Sequence, residues 1–183
     1  DEALNQLANL NETFTFENNK TLYPFATYLW GRCYYEKRKW QQAEKFFKET
    51  VQLIEDQLEQ NEELRNSNLL AACYNSLGSL YFYENNFKQA LQVTEAGLVS
   101  FTLEGNREYL LYFLLFNRGL FQQNLNNLEK TSESLELLQE KINKLEQEGK
   151  LLENVRLSVI IQHYDTYATI LNQMGLTDKA LEY

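Results

Sequence analysis

The stretch Tyr74-Asn75-Ser76-Leu77-Gly78-Ser79-Leu80-Tyr81-Phe82, followed after a polar break by Phe87-Lys88-Gln89-Ala90-Leu91, decides how this chain folds. Gly78 sits among bulky side chains at helical density, with Phe87 nine positions on and Ala90 twelve. The same steps recur along the chain. Gly31 leads to Trp40 and Ala43, Gly119 to Leu128 and Thr131, and Ala168 to Thr177 and Ala180. Of the eight small-residue positions, only Thr131 is neither Gly nor Ala. A small residue in mid-helix lets a neighbouring backbone approach where a larger side chain would hold the axes apart. The second small residue, early in the next helix, takes the opposite side of that contact.

Polar, turn-forming pieces separate the paired positions: Lys37-Arg38-Lys39, Asn85-Asn86, Asn126-Asn127 and Met174-Gly175. Asn tolerates the left-handed conformation that ends a helix, and Gly adopts it without strain. Each unit therefore predicts a helix, a short turn and an antiparallel helix. The first helices are dense in bulky residues, as in Phe25, Tyr28, Leu29, Trp30, Tyr34 and Tyr35. The second helices are amphipathic, with Phe46, Phe47, Val51, Ile54 and Leu58 set against Lys45, Lys48, Glu49, Glu55 and Asp56. Pro24 stands where the first helix of unit one should begin, a position that tolerates a missing N–H.

Composition narrows the class further. One proline and seven glycines in 183 residues exclude many short strands joined by tight turns. Hydrophobic residues at 44% suffice for a packed core. No apolar run approaches the roughly 18 residues of a membrane span, and Asp1, Glu2, Asn5, Asn9 and Asn11 do not make a signal peptide, so a cytoplasmic, membrane-free protein is expected. His163 is the only histidine, which leaves no His-rich metal site and no conventional catalytic triad. We expect no metal, no cofactor and no enzymatic activity. Cys33 and Cys73 belong to no C-x-x-C pair and read as reduced packing thiols. A net charge of −9 without a basic run argues against a direct grip on a phosphate backbone.

These features resemble the tetratricopeptide repeat, whose first helix carries a Trp/Leu-Gly-x-x-Tyr stretch ahead of an Ala and an aromatic in the second. Trp30-Gly31-Arg32-Cys33-Tyr34 with Ala43 and Phe47 matches it, as does Leu77-Gly78-Ser79-Leu80-Tyr81 with Ala90, where Thr94 replaces the aromatic. Unit three has Gln122 in the tyrosine place and Thr131 for the alanine. Unit four has Tyr167-Ala168, Gly175 and Ala180 and stops at Tyr183. The successive small residues are 47, 41 and 49 positions apart (31 to 78, 78 to 119, 119 to 168) against about 34 in the standard repeat, and the proline that normally ends each unit is missing. The extra length, as in Gln57 to Asn66 and Glu146 to Glu153, resembles the repeat domains of peptide-pheromone receptors of Gram-positive bacteria, the PlcR/NprR/Rap group. The strongest local likeness is Tyr74 to Phe82 with Asn86 to Leu91, behind the acidic link Asn61-Glu62-Glu63-Leu64.

The resemblance implies an all-α, right-handed superhelical solenoid of about four helical hairpins, 21–63, 64–105, 106–150 and a truncated 151–183, after a segment 1–20 that ends a preceding helix or repeat. It implies a ligand-sensing domain of a transcriptional regulator that binds a short quorum-sensing peptide. DNA would be contacted only through an N-terminal helix-turn-helix domain, which this chain lacks, in a possible homodimer. Asp1 and Tyr183 both fall within helical patterning, as expected of a fragment.

In such a stack the first helices line the concave wall. Its inner positions fall six and three before the small residue, and one, four and five after it. They give Phe25, Tyr28, Arg32, Tyr35 and Glu36; Ala72, Asn75, Ser79, Phe82 and Tyr83; Phe113, Phe116, Leu120, Gln123 and Asn124; and Gln162, Asp165, Thr169, Asn172 and Gln173. Apolar groups offer pockets for peptide side chains, and amides offer one donor and one acceptor to a peptide backbone. The candidate peptide-binding set is Tyr28, Arg32, Tyr35, Asn75, Ser79, Phe82, Phe116, Asn117, Gln123 and Asn124, with Arg32 available to a carboxylate. By resemblance, first-helix asparagines hold the peptide backbone, and Asn75 is the best placed. The same aromatics read equally as core, and Asn75 as a hydrogen bond to the next helix. His163 reads as a surface or packing residue. The competing function is a generic tetratricopeptide adaptor for a protein partner; its chaperone-tail subtype is disfavoured because Arg32 is the only basic residue on the wall.

Overall fold

A computed structural model describes residues 20–103, 105, 109–149 and 157–182. The expected opening segment, apart from Lys20, and both chain ends at Asp1 and Tyr183 lie outside them. The described residues are all-α, with no strand: α1 (Tyr23–Glu36), α2 (Trp40–Glu55), α3 (Glu62–Asn66), α4 (Leu69–Tyr83), α5 (Phe87–Ser100), α6 (Tyr109–Asn124), α7 (Leu128–Gln147), α8 (Leu157–Gln173) and α9 (Thr177–Ala180).

Four helix pairs, α1/α2, α4/α5, α6/α7 and α8/α9, share one register. Counted from Gly31, Gly78, Gly119 and Ala168, each first helix ends five residues on, at Glu36, Tyr83, Asn124 and Gln173. Each turn has a left-handed residue seven on: Arg38 at φ 56°, Asn85 at 59°, Asn126 at 57° and Gly175 at 77°. Each second helix starts nine on, at Trp40, Phe87, Leu128 and Thr177. The small residues lie where helices cross. A Cβ added to Gly31 would meet the Phe47 ring at 2.6 Å, one on Gly78 would meet Thr94 Oγ1 at 2.7 Å, and one on Gly119 would meet Leu135 at 3.0 Å. All three partners stand sixteen residues downstream.

Each helix packs mainly on its sequence neighbours. Each long second helix also touches the following first helix: α2 on α4, α5 on α6, α7 on α8. The first helices α1, α4, α6 and α8 contact one another in that order, forming one row. This explains why α4 is buried on nearly every side, from Leu69 to Tyr81, and carries no amphipathic stripe. Phe47, Phe121, Leu80, Leu114, Leu135 and Ile170 are almost wholly buried, each contributing about 2 kcal/mol or more of apolar transfer.

The link before α4 holds more than a loop. Asn61 caps α3 by accepting the Leu64 N–H at 3.1 Å, and Leu64 inserts beside Ile54, Leu69, Leu70 and Cys73. The expected unit boundary at 63/64 falls inside α3. Asn68, left-handed at φ 53°, then clamps the link after α5: its Nδ2 donates to the Thr102 carbonyl at 2.9 Å and its Oδ1 accepts the Thr102 N–H at 2.7 Å. Among the described residues no helix is long and apolar enough to cross a membrane.

Candidate functional site: a hollow along the first-helix row

The row of first helices leaves a hollow of about 320 Å³ to which all four contribute. Arg32 and Tyr35 come from α1; Asn75, Ser76, Ser79 and Tyr83 from α4; Phe113, Phe116 and Asn117 from α6; and Gln162 from α8. A second hollow of about 230 Å³, lined by Tyr28, Arg32, Ala72, Asn75, Tyr109, Leu110 and Phe113, shares Arg32, Asn75 and Phe113 with the first. The larger is in the range of small-ligand sites.

Asn75 and Asn117 meet in the floor. Asn117 Nδ2 donates to Asn75 Oδ1 at 3.0 Å, bridging α4 to α6 across 42 residues of chain. Among the described residues, neither amide makes another hydrogen bond. The pair therefore leaves the Asn75 amino group as a donor and the Asn117 oxygen as an acceptor. The Ser76 and Ser79 hydroxyls donate back to Ala72 and Asn75 carbonyls, at 3.0 and 3.1 Å, and keep their lone pairs.

Arg32 borders both hollows and is the one charged side chain lining either among the described residues. Its Nη2 donates to Glu36 Oε1 at 3.0 Å, and its guanidinium lies 5.8 Å from the centre of the Tyr35 ring. Burial works against the Arg32 charge, but the adjacent Tyr28 phenol and the Glu36 carboxylate outweigh it and raise its pKa. Burial, with the neighbouring Tyr83 phenol, pushes Tyr35 up to about 12, so Tyr35 stays a neutral hydroxyl. Tyr83 forms the rim: it is 62% exposed and stacks on Trp40 at 5.7 Å.

Of the residues anticipated from sequence, the larger hollow brings together Arg32, Tyr35, Asn75, Ser79, Phe116 and Asn117, and the smaller adds Tyr28. Phe82, Gln123 and Asn124 stand apart from both. The Phe82 ring stacks on Phe121 at 5.3 Å and tilts against Phe87 at 5.7 Å, filling space between α4, α5 and α6. Asn124 donates to the Leu120 carbonyl in its own helix at 2.8 Å. Phe113, Tyr83 and Gln162 occupy inner-wall positions but were not in the candidate set, and Ser76 carried no sequence signal at all.

His163 is fully buried, which settles it as a packing residue rather than a surface one. Its Nε2 lies 2.7 Å from Gln139 Oε1, and its ring stacks on Tyr167. Gln139 donates its own Nε2 to Asn143, so its oxygen is the acceptor and His163 is the Nε2–H tautomer. Nδ1 is left buried without a partner, and burial pushes the pKa down to about 4. The ring is neutral at neutral pH and does not reach the hollow.

No family model matches the chain, and no curated protein is significantly similar to it.

Proposed function

We propose that this chain is the peptide-sensing domain of a bacterial transcriptional regulator, a tetratricopeptide-like superhelix that holds a short signalling peptide in the first-helix hollow. The observation that carries this reading is the Asn75–Asn117 pair. An amide pair with N–H donors and oxygen lone pairs to spare can meet a single peptide unit of an extended chain, whose C=O needs a donor and whose N–H needs an acceptor. The apolar faces of Phe113 and Phe116 beside it suit side chains of such a ligand. Because the hollow is lined from four successive helix pairs, a ligand spanning it favours one spacing of those helices over others. Small rotations between neighbouring pairs add along an array, which is how binding would reach a DNA-binding domain outside this chain.

Isothermal titration against heptapeptide pools tests this. The expected result is micromolar or tighter binding that Asn75→Ala and Asn117→Ala each weaken about tenfold, the worth of roughly one well-formed buried hydrogen bond. Binding untouched by both substitutions, or no binding from any pool, rejects the reading. Small-angle scattering with a bound peptide should show a changed array dimension; an unchanged profile removes the sensing step.

A further inference from the structure

Arg32 is shared by the two hollows and is the one cation bordering them among the described residues, and its charge is only lightly compensated. Glu36 takes one Nη2 contact at 3.0 Å, but its side chain is 68% exposed and sits one helical turn along the same helix. Surface pairs of this kind are weak, and Glu36 and the Tyr28 phenol together engage a minority of the five guanidinium N–H donors. The Tyr35 ring under the guanidinium and the Tyr28 phenol beside it fix the planar fork without consuming its charge. A neutral peptide laid along the hollow would strip water from that cation and offer it carbonyl oxygens but no opposite charge. A carboxylate at the same place would meet it through two parallel N–H···O bonds, the geometry for which Arg is specific.

Building on the peptide reading above, we infer that the hollow selects peptides that place a carboxylate at Arg32, supplied by a free C-terminus or by an Asp or Glu side chain. The net charge of −9 does not oppose this. Screening acts over about 8 Å at physiological ionic strength, so the local field is that of Arg32 and its competitor Glu36.

Three heptapeptide pools separate the possibilities: one with a free C-terminal carboxylate and no Asp or Glu, one amidated with no Asp or Glu, and one amidated with a single central Asp or Glu. At least one carboxylate-bearing pool should bind about tenfold tighter than the neutral amide pool, and which one does so identifies the source. Arg32→Gln should bring all pools to parity, and Arg32→Lys should recover part of the preference. Glu36→Gln should tighten carboxylate peptides about two- to threefold by removing the competing acid. Equal binding of acid and amide pools by the unaltered chain, or a preference that survives Arg32→Gln, overturns the inference while leaving the peptide reading intact. Failure of every pool to bind removes both.

Discussion

The helix pairs α1/α2 and α4/α5 are built to one register and solve it with different residues. Gly31 faces the Phe47 ring; Gly78 faces the Thr94 hydroxyl. The left-handed turn residue is Arg38 in one and Asn85 in the other. At the next position Asn86 caps its helix by accepting the Gln89 N–H at 3.4 Å, while Lys39 makes no side-chain cap. The geometry of the crossing is thus conserved between the two pairs although its chemistry is not. What the chain must keep is a short side chain at the crossing and a residue that accepts positive φ. The partner opposite is free to be an aromatic ring or a hydroxyl.

Substitution at the crossing should give the largest difference. Phe47 is fully buried between α1 and α4 and cannot swing away, so Gly31→Ala should cost about 2–3 kcal/mol in urea unfolding, even after the gain in helix propensity. At Gly78 the contact is a hydroxyl that a change of rotamer moves, and Gly78→Ala should cost about 1 kcal/mol. Equal losses would mean that the crossing, not the partner, sets the tolerance. The Thr94 hydroxyl is buried without a hydrogen-bond partner, a penalty Phe47 does not carry. Thr94→Val should therefore stabilise the protein by about 1–2 kcal/mol; a loss on the same assay would show that the hydroxyl is satisfied in solution.

The turns give smaller effects. Arg38→Gly should stabilise by about 1 kcal/mol, because an L side chain at φ 56° is disfavoured, and Asn85→Arg should destabilise by a similar amount. Matching melting shifts of opposite sign would confirm that the turns are equivalent. The cap is last: Asn86→Ala should cost about 0.5 kcal/mol, its bond being long, and Lys39→Asn should gain about as much. A null result at both would leave the left-handed residue alone responsible for stopping each first helix.

Much of this was legible in the chain because its signals are local. Steps of nine and twelve residues between small or bulky positions mark where helices cross and restart, and Asn or Gly marks where three of the four first helices stop, Arg38 taking that place in the other. The inner wall was legible for a related reason: polar Asn75 on an otherwise apolar helix needs a partner, and it has one in Asn117. Phe82 shows where this reasoning ends. Its position four residues after Gly78 lies on the wall by helical phase, yet its ring goes to Phe121. A helix surrounded by neighbours offers an aromatic several directions, and available space chooses between them. Ser76 enters the hollow through the same freedom, with nothing in its neighbours to announce it.

Alternation of apolar and polar residues, the small residues and the turn chemistry settled the helical class, the pairing and the places where each pair bends back, since these depend on contacts within a few turns of chain. The fold in space decided what required distant segments to meet: the Leu64 anchor, the Asn68–Thr102 clamp, the burial of His163 and the placing of Arg32 at the border of two hollows. Those depend on how much room one helix leaves beside another. That is a property of packed volumes and not of any one stretch of sequence.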